Sequence, residues 1–305
     1  MAVHLRAKLS FHLHGLENIA LVTASSGQEV GGGDWDGVFC VNEVLQLNFF
    51  RRNGSPTLPL FRYDALSLGG RRPNIALPFA NRVAALTGLA WDDCVEGPKQ
   101  GPLAGVVAPR PSQTALFPTR RERGEAGKSF GPRDLFDYIY AVLHSPAYRS
   151  RYADYLKSDF ARIPLPGSRD LFEALVPLGT ELVALHLLDE KALPELADPK
   201  GLRLAGNGEA RVTAKMPTFD SGRVYINPSR WFETVPEHAW NFHIGGYQPA
   251  QKWLKDRAAK GGKKANPGRV LTQEDILHYR RIILSLTRTA EIMPKIDAVV
   301  EAHGG

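Results

Sequence analysis

Any chemistry in this chain would have to come from a few small groups of residues, each of which must meet a spacing rule. Asn227-Pro228-Ser229-Arg230 comes near the Asn-Pro-Pro-aromatic loop with which amino-methyltransferases position a target amine, but the second proline and the fourth-place aromatic are missing. Asp92, Glu96 and Lys99 come nearest to the Asp and Glu-x-Lys set that holds Mg²⁺ beside a water-activating cation, yet the Glu-to-Lys gap is one residue too long. His12 and His14 would share a strand face, and His238 and His243 stand five apart, off the helical i, i+4 step. The first pair also lacks a nearby carboxylate or thiol cluster to complete a zinc site. A GxxxxGKS/T phosphate loop, a GxGxxG turn after a strand and a GxSxG elbow do not occur. The sequence predicts no catalytic residue, no metal ligand and no cofactor.

Recognition is better provided for. The run 223–257, RVYINPSRWFETVPEHAWNFHIGGYQPAQKWLKDR, concentrates aromatics and cations around a Gly-Gly turn. Trp231, Phe232, Trp240, Phe242, Tyr247 and Trp253 offer flat π-faces, while Arg223, Arg230, Lys252, Lys255 and Arg257 offer charges for phosphates or base edges. The same residues would also serve as an aromatic-rich strand pair with a solvated rim. The part through Phe242 reads as strands and core, and Gly245-Gly246 with 247–257 as the contact segment.

The 305 residues carry a net charge of +6, with 43% hydrophobic and 23% charged residues, which is ordinary globular composition. Charge is unevenly placed. Residues 247–269 hold seven Lys or Arg against Asp256, and 110–133 hold six against Glu122 and Glu125. Each stretch alone would be a solvated loop, but two in one chain point to a polyanion. The expected DNA contacts are Arg120, Arg121, Arg123 and Lys128 in the first and Tyr247, Gln248, Lys252, Lys255 and Arg257 in the second, with Arg230 between them. Cys40 and Cys94 form neither a disulfide framework nor a metal knuckle, and no apolar run approaches a membrane span. A soluble, cytoplasmic protein is expected.

These side chains must be positioned by an α+β fold. Residues 19–23 and 38–41 are short, apolar and β-prone, and a Gly-rich loop separates them. Residues 105–132 lack periodicity and read as a long surface loop. From 134 the pattern turns helical, with Leu135, Tyr138, Ile139, Val142 and Leu143 on one face. Ser145-Pro146 predicts a cap and a second helix through Tyr148, Tyr152, Leu156 and Phe160. Ser168 caps a third, whose Leu171, Leu175, Leu178, Leu182 and Leu185 follow a heptad seam that Pro177 should bend. Thr272 and Asp275 predict a capping box opening a long helix with Ile276, Tyr279, Ile283, Leu286, Ala290 and Met293 on one stripe. Pro294 should kink that helix near its end. The expected organisation is a discontinuous β-rich lobe, 1–133 with 194–246, and a helical coupler, 134–193 with 247–305.

Five strings carry a family resemblance: DLFDYIYAVLHSPAYRSRYADYLKSDFARIPLP, LFEALVPLGTELVALHLL, VYINPSRWF, WNFHIGGYQPAQKWLKDR and EDILHYRRIILSLTRTAEIMPKID. In that order, across about 18–297, they resemble the C-terminal specificity region of Type ISP restriction-modification enzymes. Those enzymes join nuclease, helicase-like ATPase and adenine methyltransferase modules to a target recognition domain with a helical coupler. The resemblance implies that this chain corresponds to the recognition domain and coupler alone. Its partners would be double-stranded DNA and a methyltransferase, helicase or nuclease chain that supplies the chemistry. PTRRERGEAGKSFG and AAKGGKKANPG depart from the family pattern by being longer. Two alternatives stay open: a free-standing methyltransferase or nuclease with an unrecognised site, and a split-gene remnant that docks through its heptad helices.

Overall fold

In the computed structural model, which describes residues 12–13, 18–24, 35–43, 56–63, 71–94, 122–260 and 265–304, the apolar runs near the start pair as expected. Strands β1 (Ala20–Thr23) and β2 (Val38–Val41) are antiparallel, with Ala20 opposite Val41 and Thr23 opposite Val38. β3 (Thr57–Pro59) adds to the other edge of β1. β4 (Phe61–Tyr63) and β5 (Arg71–Pro73) form a separate antiparallel pair. Buried Asn18 ties β1 to β4, its amide donating to the Phe61 carbonyl at 2.8 Å while its Oδ1 accepts from the Phe61 N–H at 3.1 Å. Helix α1 (Leu77–Thr87) starts with proline in its first turn and stops at Gly88, whose φ of 68° is the left-handed cap conformation.

The expected surface loop at 105–132 is only partly described, and its described end is ordered into the fold. β7 (Ser129–Phe130) runs parallel to β6 (Ala90–Trp91). Helix α2 (Pro132–His144) follows and buries Leu135, Tyr138, Val142 and Leu143. Ser145 is the cap that its position predicts, accepting from the Tyr148 N–H at 2.9 Å. The single helix expected beyond it is two: α3 (Pro146–Arg151) and α4 (Ala153–Ser158), broken where Tyr152 leaves helical geometry at φ −109°, ψ 20°. Phe160 falls outside both and is half exposed.

Helix α5 (Arg169–Leu187) begins at Ser168, whose Oγ accepts from the Leu171 N–H at 3.1 Å, and it continues through Pro177. Its Gly179 permits a close approach to α2: a Cβ there would stand 1.9 Å from the Asp137 carbonyl oxygen. Further on, β8 (Leu204–Gly206), β9 (Thr218–Asp220), β10 (Arg223–Asn227) and β11 (Arg230–Phe232) make an antiparallel sheet in the order β8-β11-β10-β9. Short α6 (Glu237–Trp240) and α7 (Pro249–Lys255) precede α8 (Gln273–Ala302). The predicted capping box opens α8, with reciprocal Thr272–Asp275 bonds of 3.0 and 3.1 Å. Pro294 does not end the helix.

The chain divides into two compact units. Met1–Gln28, Val38–Thr180 and Ile296–Gly305 form the first, and Glu29–Gly37 with Glu181–Lys295 the second. In the second, Val224, Ile226 and Phe232 from the sheet, Ala250 and Leu254 from α7, and Tyr279, Ile283 and Leu286 from α8 share one core. Strands and helices are thus not segregated there, because each apolar face is buried against the other kind of element. The last turn of α5 bonds to α8 through Ser285 to the Leu185 carbonyl at 2.9 Å and His186 to Thr289 at 3.0 Å, polar side chains that lie outside both predicted seams. Toward its C-terminal end the buried stripe of α8 drifts to Thr289, Ile292 and Ile296, away from Ala290 and Met293. A helix of 3.6 residues per turn drifts in this way when no supercoil holds it to a heptad.

Candidate nucleic-acid interface

The sheet of the second unit has two chemically different faces, set by the period-two alternation of RVYIN. Val224 and Ile226 point into the core, and Arg223 and Tyr225 point away from it. On the outward face Tyr225 is opposite Trp231, with ring centroids 5.6 Å apart. The Arg223 guanidinium stands 5.6 Å from the Trp231 centroid. The neighbouring Tyr225 phenol, followed by the nearby carboxylates of Glu233 and Asp220, holds Arg223 above the usual arginine range. Glu233 in turn pairs with Arg203 at 2.8 Å, and that pairing keeps its carboxyl below the usual range.

Asn227 has no spare capacity for a ligand. Its amide donates to the carbonyls of Glu209 and Arg211 at 3.1 and 2.9 Å, and its Oδ1 accepts from Ser229. It shapes the β10–β11 turn. Neighbouring Arg230 donates to the Gly206 carbonyl at 2.6 Å and is partly buried.

The expected contact segment is a tight turn followed by α7. Gly245 and Gly246 both have positive φ, 57° and 78°, and the turn is closed by reciprocal Ile244–Tyr247 bonds of 2.8 and 3.0 Å. Tyr247 is 40% exposed beside it. Gln248 is the cap position of α7, its carbonyl accepting from the Lys252 N–H at 2.8 Å. Exposed Lys252 pairs with Asp256 at 2.7 Å, and exposed Lys255 bonds Gln251 at 3.0 Å. Arg257 is spent on packing: its guanidinium lies 3.5 Å from the Trp253 centroid and donates to the Trp253 carbonyl at 2.9 Å. Burial lowers its affinity for the proton, partly countered by Asp275. Of the aromatics, Phe232 and Trp240 are core residues, and Trp253 packs on Tyr279 at 5.5 Å.

The first basic stretch belongs to the other unit. Arg120 and Arg121 lie outside the described residues. Arg123 is engaged by Asp134 at 2.6 Å, by Asp137 and by the Thr180 hydroxyl at 3.0 Å. Burial opposes its charge, but the two carboxylates outweigh it and hold the guanidinium above its usual range. Lys128 is exposed and pairs with Glu125 at 2.7 Å. The structure therefore brings Tyr247, Gln248, Lys252, Lys255 and Arg257 onto one short segment, with Arg230 in the sheet of the same unit. Sequence reading passed over Arg203, Asp220 and Glu233 on the outward face, although the alternation in β10 was the signal for it.

Among the described residues no group of three or more His, Cys, Asp or Glu side chains is placed to hold a metal, and no helix is long and apolar enough to cross a membrane. His12 accepts from the Tyr63 N–H at 3.1 Å, and Asp92 from the Cys94 N–H at 3.0 Å; His14, Glu96 and Lys99 are outside the described residues.

Solved structures share this fold, among them the following three. The ATP-dependent Type ISP restriction-modification enzyme LlaBIII bound to DNA is similar with a TM-score of 0.59 at 17% identity, over 92% of this chain and 16% of that one. The DrdV–DNA complex gives 0.60 at 19% identity, over 92% and 25%. A nuclease-deletion mutant of the Type ISP enzyme LlaGI in complex with a DNA substrate mimic gives 0.54 at 20%, over 92% and 18%. The chain thus spans a quarter or less of the chains it resembles. Comparison with curated protein sequences gave no match. Residues 3–294 match the family model of the Type ISP C-terminal specificity domain, and the chain belongs to that family.

Proposed function

We propose that this chain is the sequence-specific DNA recognition module of a restriction-modification enzyme, positioning methyltransferase and nuclease chemistry that other modules supply. The observation that carries the reading is the family match over 3–294, supported by a fold shared with enzymes solved on DNA. The net charge of +6 and the exposed cations of the second unit suit a polyanion. Strands of 1–133 and 194–246 would act as the recognition lobe and helices of 134–193 and 247–305 as the coupler.

Phosphate contacts by lysine and arginine would supply affinity that falls with salt, and base-edge contacts would supply the target sequence. Selection from a random duplex pool with the purified chain tests this. A recovered motif, bound with a steep negative salt slope, is the expected result. Affinity indifferent to sequence and salt refutes the proposal.

A further inference from the structure

Arg223 sits at the solvent-facing end of the β9–β10 hairpin. It is paired with Asp220 across the β9–β10 hairpin, and the two residues between them, Ser221 and Gly222, have φ of 49° and 80°. Two positive φ values in a two-residue loop are those of a type I′ turn, which keeps the strands twisted together. β9 is the edge strand of the four-stranded sheet, so the hairpin is open on one side while β10 pairs with β11 on the other. The tip of such an edge hairpin can present a side chain to the major groove, which is about 12 Å across.

The guanidinium lies over an aromatic pair. It stands 5.6 Å from the Trp231 centroid, and Trp231 in turn packs against Tyr225, while the Arg223 side chain stays exposed. Ser221, Gly222, Glu233 and Thr234 line an open cleft of about 490 Å³ with it. Thr234, a β-branched residue, is held in the left-handed region at φ 60°, and such outliers persist only where the surroundings over-determine them. Lys252 and Arg257, by contrast, are directed at their own helix.

The neighbours of Arg223 decide what it fits. Carboxylates of Asp220 and Glu233 both act on it, and with Glu233 also paired to Arg203 the two acids offset the two arginines and leave no net positive charge to favour a phosphate. A G·C pair offers the opposite arrangement in the major groove: guanine N7 and O6 accept, and the adjacent cytosine amino group donates. We propose that Arg223 is a base-reading residue that contacts the guanine of a G·C pair in duplex DNA, with Asp220 and Glu233 disfavouring phosphate in its place. This rests on the DNA-recognition reading above.

The test is duplex-pool selection, followed by binding to the best site and its single-base-pair variants, for the whole chain and for R223K and R223A. The wild type should require G·C at one position. Both variants should lose about tenfold discrimination there and keep it elsewhere. R223K should retain the wild-type salt slope, because lysine keeps the charge and loses only the bidentate fork. Discrimination by R223K equal to wild type overturns the inference, as does a uniform loss by R223A on all sequences. Those outcomes leave DNA recognition standing. A wild type without any sequence preference removes both.

Discussion

Arg123 and Arg223 are the same residue type in opposite surroundings. Arg123 is engaged by Asp134, Asp137 and Thr180, and Asp137 is fully buried, also receiving Arg133 at 2.9 Å and Thr180 at 2.7 Å. Arg223 is exposed on an aromatic pair, with carboxylates near it that do not enclose it. The first arrangement fixes the chain segment leading into α2; the second leaves hydrogen-bond donors facing solvent. A count of cations in a basic stretch therefore measures two things at once, and only the partners separate them.

The comparison breaks most visibly at Asp137. Asp137→Ala takes the buried carboxylate from Arg133 and leaves Arg123 with Asp134 and Thr180, and should cost about 3 kcal/mol in denaturant unfolding. A loss below about 1 kcal/mol would show that the network is solvated and that Arg123 is free for other contacts. Next in size, Gly179→Ala places a methyl against the Asp137 carbonyl and should cost about 1–3 kcal/mol through overpacking.

Asp275 offers a pH-resolved version. Burial raises its pKa, but the Thr272 N–H and hydroxyl and the Arg269 guanidinium more than offset that, so its carboxyl is held below the usual range. Its folded value is below its unfolded value of about 3.9, so its stabilisation is complete above that pH and lost as pH falls through the folded value. Asp275→Asn should cost about 1 kcal/mol at neutral pH, as loss of a helix cap does, and should flatten the acid limb of the stability profile. An unchanged acid limb would assign that limb to other carboxylates. The smallest stability effect belongs to the surface: Lys252→Gln with Lys255→Gln should move unfolding by no more than about 0.5 kcal/mol. If the pair binds phosphates, the salt slope for DNA should become shallower by about 0.9 for each phosphate that is no longer neutralised.

Much of the local structure was legible because it is written in short-range chemistry. Ser145, Ser168 and the Thr272–Asp275 box mark helix starts by satisfying free N–H groups, and each is used that way. The last turn of α5 and α8 meet through Ser285 and His186, which the two apolar seams did not mark. The break at Tyr152 was not legible, since residues 146–160 read as one continuous helical pattern. The outward sheet face was half legible: Arg223 stood out as a cation, but Glu233 and Arg203 are 30 residues apart in sequence and meet only through β8 and β11.

By itself the sequence determined the α+β class, the helix caps, the family and the absence of recognisable catalytic strings, because each depends on residues near one another or on an ordered set of strings. Tertiary structure alone decided which cations are committed to carboxylates, which aromatics are core and which face of the second sheet is open. Those outcomes depend on contacts between residues far apart in the chain, such as Arg123 with Thr180 and Phe232 with Tyr279, and composition and spacing do not encode them.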